Sequence, residues 1–276
     1  MSETNGYHYP FEEEEECGLT EESDHLILMH RDAHFGGDFQ VMINYYENEN
    51  HIGIDPELEL DRILYLAEVE KEMGTDLAPL ILVGPEAERV AKARKAYESL
   101  KDVYDSFETK SIIPRLIADL ILSEEEEPDN EIEAVISQGA RIVPELLAII
   151  QSEESYDPFF PGYGYAPYLA IICVGKIGDP RGVIPLFETL GKEIVFDERV
   201  ILEALYGIGE PAKQFLLKVL QGRPLTNDHI HAAYALTIFS NDVDVISISK
   251  KELQDPAVFQ NSLLRSYLEC SLSSEE

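Results

Sequence analysis

The sequence predicts an all-α protein built from pairs of helices that stack on one another. Two observations lead to this prediction: apolar residues recur at helical spacing along most of the chain, and a short turn sequence returns at a constant interval. Successive turns start 31 residues apart (209 − 178 = 31 and 240 − 209 = 31). They read Gly178-Asp179-Pro180, Gly209-Glu210-Pro211 and Ser240-Asn241-Asp242. One helix pair fits this interval, which favours an α-solenoid.

The N-terminal part of the chain is predicted to be an acidic arm followed by an irregular helical region. Residues 1–24 include five consecutive Glu at 12–16 and have little apolar surface, so we expect them to form a mobile arm. Residues 25–128 are expected to be helical. The acidic stretch 123–129 contains a proline and is the expected boundary with the C-terminal region, residues 129–276.

Three helices are predicted with defined ends in the N-terminal region. The first begins at Asp55, whose side chain can accept hydrogen bonds from free amide groups, and it ends at Gly74. The second begins at Pro85, a residue that suits the first position of a helix. The third covers residues 112–122.

The C-terminal region is predicted to contain four helix pairs and a closing helix. The segments share apolar periodicity and are separated by glycine, proline or aspartate. They are residues 132–137 with 142–150, 166–177 with 180–190, 198–207 with 211–220, 228–239 with 243–253, and finally 257–268.

The second pair carries a resemblance to a known family. Residues 170–186 read AIICVGKIGDPRGVIPL, and this stretch resembles the HEAT repeat, in particular the short variety named the phycobilisome-lyase-like HEAT repeat. The resemblance covers residues 130–255 and implies an α/α superhelix used as an interaction scaffold. In this stretch Gly178 can end the first helix and Asp179 can cap the second. Pro185 falls later than a first-turn proline should, so a kinked entry is expected there.

Charge and cysteine content restrict the classes of function. The chain has 276 residues with 54 acidic and 21 basic side chains, a net charge of −33. A field of this sign repels nucleic acid and anionic lipid, so neither nucleic acid nor membrane is an expected partner. A protein or peptide partner, preferably basic, fits the charge. The alternative is that the charge only keeps the protein soluble.

The cysteines and the apolar segments bear on localisation. Cys17, Cys173 and Cys270 are widely spaced and odd in number, so no disulfide framework is expected. No apolar run approaches the roughly 20 residues of a membrane span, and the acidic N-terminus does not look like a secretory signal. We therefore expect a cytoplasmic protein.

An aromatic insertion interrupts the regular spacing. Pro144 and Pro185 occupy matching places in the first two pairs but lie 41 residues apart (185 − 144 = 41), about ten more than the repeat interval. Insertions in repeat proteins form loops that often bind partners, and aromatic side chains anchor interfaces. The alternative is that the loop fills a gap between pairs. The predicted partner-binding residues are Tyr156, Phe159, Phe160, Tyr163, Tyr165 and Tyr168.

A cluster of histidines and carboxylates lies near the start of the helical region. His30 and His34 are four residues apart, so they share a helix face, and Asp32 lies between them. These three are weak candidates for metal ligands, the alternative being ordinary helix-surface residues. No metal, other cofactor or catalytic residue is predicted.

The expected function is a non-enzymatic interaction or scaffold module that binds a protein or peptide. The alternative class is an enzyme or cofactor-handling protein, lyase-like or metal-dependent, which would use the region of His25, His30 and His34. No phosphate-binding loop or nucleophile motif accompanies these histidines.

Overall fold

The computed structural model describes residues 22–48, 51–105, 111–123, 125, 128–192, 194 and 196–272. All regular structure in these residues is helical, which confirms the predicted all-α class. Most of the predicted acidic arm lies outside the described residues. The first helix, α1, covers Glu22–His34 and therefore begins inside the predicted arm. Asp24 is fully buried there and its carboxylate pairs with Arg62 at 2.7 Å, which orders this turn.

Five further helices precede residue 123. They are α2 (Phe39–Tyr46), α3 (Leu60–Met73), α4 (Ala78–Ile81), α5 (Pro85–Asp105) and α6 (Ile113–Ile121). The ends predicted at Gly74 and Pro85 are correct, and Gly74 adopts a left-handed φ of 62°. The start predicted at Asp55 is wrong, because Asp55 caps a turn by accepting from the amide of Glu57 and α3 begins only at Leu60.

Ten helices follow residue 128 in the described part of the chain, close to the predicted positions. They are α7 (Asp129–Ile136), α8 (Val143–Gln151), α9 (Ala166–Ile177), α10 (Val183–Thr189), α11 (Arg199–Ile208), α12 (Glu210–Leu220), α13 (Asn227–Leu236), α14 (Val243–Glu252), α15 (Pro256–Gln260) and α16 (Ser262–Cys270). The predicted closing helix is thus divided in two. Asn261 causes the division, since its side chain caps α16 by accepting from the amide of Leu264 at 3.1 Å.

The three equally spaced turns occupy the same place in three helix pairs. Gly178, with φ of 70°, ends α9, and Asp179 accepts from the amide of Arg181 at 2.9 Å. Asp242 does the same for α14, accepting from Asp244 at 2.9 Å. The kinked entry expected at Pro185 is not found, because a 3-10 turn over Pro180–Gly182 precedes α10 and places this proline in the first turn of the helix.

Glycine permits a close approach between α9 and α11. A Cβ atom on Gly175 would lie 2.5 Å from the Cα atom of Ala204, and one on Gly207 would lie 2.4 Å from the carbonyl oxygen of Gly175. Real Cβ atoms do not come this close, so a side chain at either position would separate the two helices. α9 is also packed by α7 and α8, which explains why it is apolar on nearly every side.

The hydrophobic interior forms two clusters. One contains buried residues from α1 to α5 together with Phe159 and Phe160 of the insertion. The other contains residues from Ile113 to Leu268, so α6 packs with the helices that follow it. The two clusters divide ahead of α6. None of the described helices has the length and apolar content needed to cross a membrane.

We expect Leu202→Ala to lower the free energy of unfolding by about 2–5 kcal/mol, because it removes a buried side chain from the larger cluster. Urea unfolding followed by circular dichroism measures the change. Val243→Ala is the matched control, since Val243 is 78 % exposed and its truncation should cost less than about 0.5 kcal/mol. Equal urea midpoints for Leu202→Ala and the wild type would contradict the packing described for α11.

Candidate functional site

The aromatic insertion lies against the N-terminal helices instead of projecting into solvent. Phe159, Phe160 and Tyr163 are only 7 %, 7 % and 8 % exposed. The expectation that they form an exposed recognition surface is therefore wrong for these three residues. The three residues are buried because α1 to α5 leave an apolar recess. The aromatic rings fill this recess, and apolar surface is thereby removed from water.

The other three predicted residues are more accessible. Tyr165 is 37 % exposed. Tyr156 is partly buried and its hydroxyl donates to the carbonyl oxygen of Ile150 at 2.8 Å. Tyr168 is also partly buried, with its ring 5.4 Å from that of Phe196. The six aromatic residues thus do not form one exposed patch.

Polar contacts fix the insertion in its recess. The guanidinium of Arg89 makes two hydrogen bonds to the carboxylate of Asp157, both 2.6 Å long, and lies 4.3 Å from the centre of the Phe159 ring. Gly53 allows the Tyr163 ring to approach, since a Cβ atom there would lie 2.3 Å from that ring. Residues 157–163 therefore join the two hydrophobic clusters.

His34 also contacts the insertion, and its hydrogen bonds require the tautomer that is protonated on Nε2. Its Nε2 atom is 2.9 Å from the carbonyl oxygen of Pro158, which can only accept, so Nε2 carries the proton. Its Nδ1 atom then accepts from the hydroxyl of Tyr97 at 2.6 Å. The ring is stacked on Tyr163 with 4.3 Å between centroids. Both nitrogens of His34 are occupied, so it has none left for a ligand.

His30 lies deeper in the same aromatic group and is 4 % exposed. Its ring is 5.5 Å from Phe35 and 6.2 Å from Phe159, and its Nε2 atom has no hydrogen-bond partner among the described residues. Burial lowers the pKa of His30 to about 4. Burial, assisted by the proximity of His30, lowers the pKa of His34 to about 3. Both histidines are therefore neutral near pH 7.

The weak metal candidates do not form one site, although the ring centroids of His30 and His34 are 4.7 Å apart. Asp32 pairs with Arg31 at 2.6 Å and with Arg94 at 2.7 Å, while His30 and His34 are packed among aromatic rings. His25 pairs instead with Glu86 at 3.0 Å. Within the described ranges there is no group of three or more His, Cys, Asp or Glu residues that could hold a metal ion.

Sequence reasoning missed a buried charge network around Arg31. This side chain has no exposure, and its guanidinium donates to Asp32, to Glu70 at 2.5 Å and to Asp76 at 2.6 Å. The guanidinium also lies 4.5 Å from the centre of the Phe39 ring. No local signal shows that residues so distant in sequence converge.

An open cleft of about 560 Å³ borders this network between α4 and α5. Asp32, Asp76 and Arg94 belong both to its wall and to the network. The remaining lining is mostly apolar, with one further charge of each sign. It consists of Ala78, Pro79, Leu82, Ala87, Val90, Ala91, Lys95 and Glu98. A concave surface with an apolar wall and a few charged groups is typical of a binding site.

Comparison with protein-family models, curated proteins and solved structures found no match to this chain.

We expect Phe159→Ala to lower the free energy of unfolding by roughly 3–5 kcal/mol, because it leaves a cavity between the insertion and α5. Urea unfolding measures the change, and Tyr165→Ala on the same insertion serves as the control with a smaller effect. If Phe159→Ala unfolded like the wild type, the recess described for this ring would be incorrect.

Stability should also fall as the pH falls from about 6.5 to 5. The folded-state pKa of His30 is about 4 and that of His34 about 3, both below the unfolded value of 6.5. The unfolded chain therefore binds more protons in this window, which costs up to about 1.4 kcal/mol per pH unit for each histidine. Urea unfolding at a series of pH values measures the slope.

The variant His30→Met removes one of the two titrating groups and should reduce that slope by about half. A slope that is the same in the variant and the wild type would show that other groups cause the pH dependence.

Proposed function

We propose that this protein is a non-enzymatic interaction module that binds a basic protein or peptide on a HEAT-like solenoid of stacked helix pairs. The observation that carries the proposal is that the first three pairs contact each other at equivalent positions. The first helices α7, α9 and α11 contact in that order, and so do the second helices α8, α10 and α12. Two layers of this kind are the arrangement expected of a solenoid.

Contacts between the turns support the same arrangement. Arg181, in the turn of the second pair, donates to the carbonyl oxygen of Ala140 in the turn of the first pair at 2.6 Å. Lys213, at the start of α12, donates to Asp242 in the next turn at 2.7 Å. These hydrogen bonds join the first turn to the second and the start of α12 to the fourth turn.

Charge supports a basic partner. Residues 1–130 contain 33 acidic and 10 basic side chains (10 − 33 = −23), and residues 131–276 contain 21 and 11 (11 − 21 = −10). Exposed carboxylates such as Glu145, Glu188 and Glu203 lie on helices of the stack. Carboxylates in this excess attract cationic partners over about 10 Å and speed their association.

The alternative function at the histidine region has less support. His25 is paired with Glu86, both nitrogens of His34 are taken, and His30 is enclosed by aromatic rings. These contacts hold helices and the insertion together, so the histidines serve the architecture in this proposal.

Selection from a displayed random-peptide library on the immobilised protein tests the proposal. We expect enrichment of peptides with net positive charge, and a fall in their association rate of about tenfold or more between 0.05 and 0.5 M salt, with a smaller change in dissociation. Association and dissociation are measured separately by biolayer interferometry.

An unrelated helical protein of similar net charge is the control, since it reproduces the charge without the surface. Enrichment of neutral or acidic peptides, or the same peptides on both proteins, would contradict the proposal.

A further inference from the structure

The floor of the cleft between α4 and α5 is shaped for close approach by another chain. Ala87 and Ala91 are exposed and lie one helical turn apart on α5, so no large side chain covers this strip. Leu82 and Val90, both buried, form the adjoining wall. Small residues at such a surface let the axis of a second helix come within about 8–10 Å.

Large apolar side chains stand exposed beside the cleft. Leu80, on α4, is 57 % exposed, and Val83, in the connection from α4 to α5, is 66 % exposed. Pro79 and Leu82 line the cleft from the same short segment. Apolar area at the rim of a concave surface is characteristic of a docking site, because contact with a partner removes it from water.

One wall of the cleft has a carboxylate with an oxygen atom that can accept a further hydrogen bond. Asp76 lies on this wall with its side chain 55 % exposed. Its Oδ1 atom accepts from Arg31 at 2.6 Å and from the amide of Ala78 at 3.0 Å. Its Oδ2 atom has no donor among the described residues, so an incoming cation can bind there.

The charge balance of the network favours a cation at this position. Three carboxylates, those of Asp32, Glu70 and Asp76, share two guanidinium groups, those of Arg31 and Arg94, which leaves one negative charge in excess. Asp76 is the most exposed of the three carboxylates. Lys95 and Glu98 also line the cleft and cancel each other.

We propose that the cleft between α4 and α5 receives a basic amphipathic helix of the partner protein, with apolar side chains against Leu82, Ala87 and Ala91 and an arginine on Asp76. This inference rests on the proposed function: the helix belongs to the same basic partner, and the cleft on α4 and α5 is a contact additional to the helix pairs. A planar guanidinium suits the carboxylate because it donates two parallel hydrogen bonds and is weakly hydrated. A second copy of this chain is a poor occupant, since two chains of charge −33 repel each other.

The test uses a fluorescein-labelled helical peptide of leucine, alanine and arginine, with leucines on one face and arginines beside them. Fluorescence anisotropy measures its binding to the full chain. Ala91→Phe fills the floor and should weaken binding about tenfold or more, because the added ring occupies the space that the peptide helix needs and displaces its central apolar contact. Ala148→Phe, at an exposed alanine of α8, is the matched control and should bind like the wild type.

The role of Asp76 is tested with a second peptide in which citrulline, a neutral isostere, replaces arginine. Asp76→Asn should weaken binding of the arginine peptide about fivefold and leave binding of the citrulline peptide nearly unchanged. This difference between two peptides on one variant does not depend on its stability. Equal effects on both peptides would overturn the assignment of Asp76.

Crosslinking of the wild type locates the peptide without any variant. A benzophenone on the apolar face should crosslink to residues 78–91. Crosslinks confined to other parts of the chain, or wild-type affinity in Ala91→Phe, would overturn the docking site. If the displayed library still yields basic peptides in that case, the proposed function stands and only the additional contact at α4 and α5 is wrong.

Discussion

The buried guanidinium of Arg31 is the interaction on which the N-terminal helices depend. It connects its own helix, α1, to Glu70 of α3 and to Asp76 just before α4, while Asp32 extends the network to Arg94 of α5. Burying a charge costs several kcal/mol, and only complete pairing offsets that cost. Removal of Arg31 would leave three carboxylates together in or near the interior, so the four helices and the cleft between α4 and α5 share one electrostatic constraint.

α1 also affects how the rest of the chain packs, because another of its polar residues, His34, contacts the insertion. His34 holds the carbonyl group of Pro158 and stacks on Tyr163, and Arg89 of α5 holds Asp157. The aromatic insertion between α8 and α9 is therefore a structural connection between two hydrophobic clusters. As a result, the surface proposed for binding lies on α4 and α5, and on the carboxylates of the helix pairs, rather than on the aromatic loop.

Local rules account for the part of the fold that could be predicted. Gly178 ends a helix because glycine adopts a left-handed φ without strain, and Asp179 and Asp242 start helices because their side chains accept free amide groups. The same rules failed at Asp55, where the cap belongs to a turn, and at Asn261, whose cap divides the closing helix that was predicted as one. A capping residue shows that a turn begins, and packing decides whether a helix continues from it.

The sequence by itself determined the all-α class, the order of the helices, the places of the repeated turns and the acidic charge, since each depends on residues close together in the chain or on composition alone. Only the tertiary structure decided which side chains meet across long separations. Arg31 and Asp76 are 45 residues apart and His34 and Pro158 are 124 apart, yet they form direct hydrogen bonds. The sequence of an aromatic loop is the same whether the loop faces solvent or fills a recess. The recess exists only once α1 to α5 have packed.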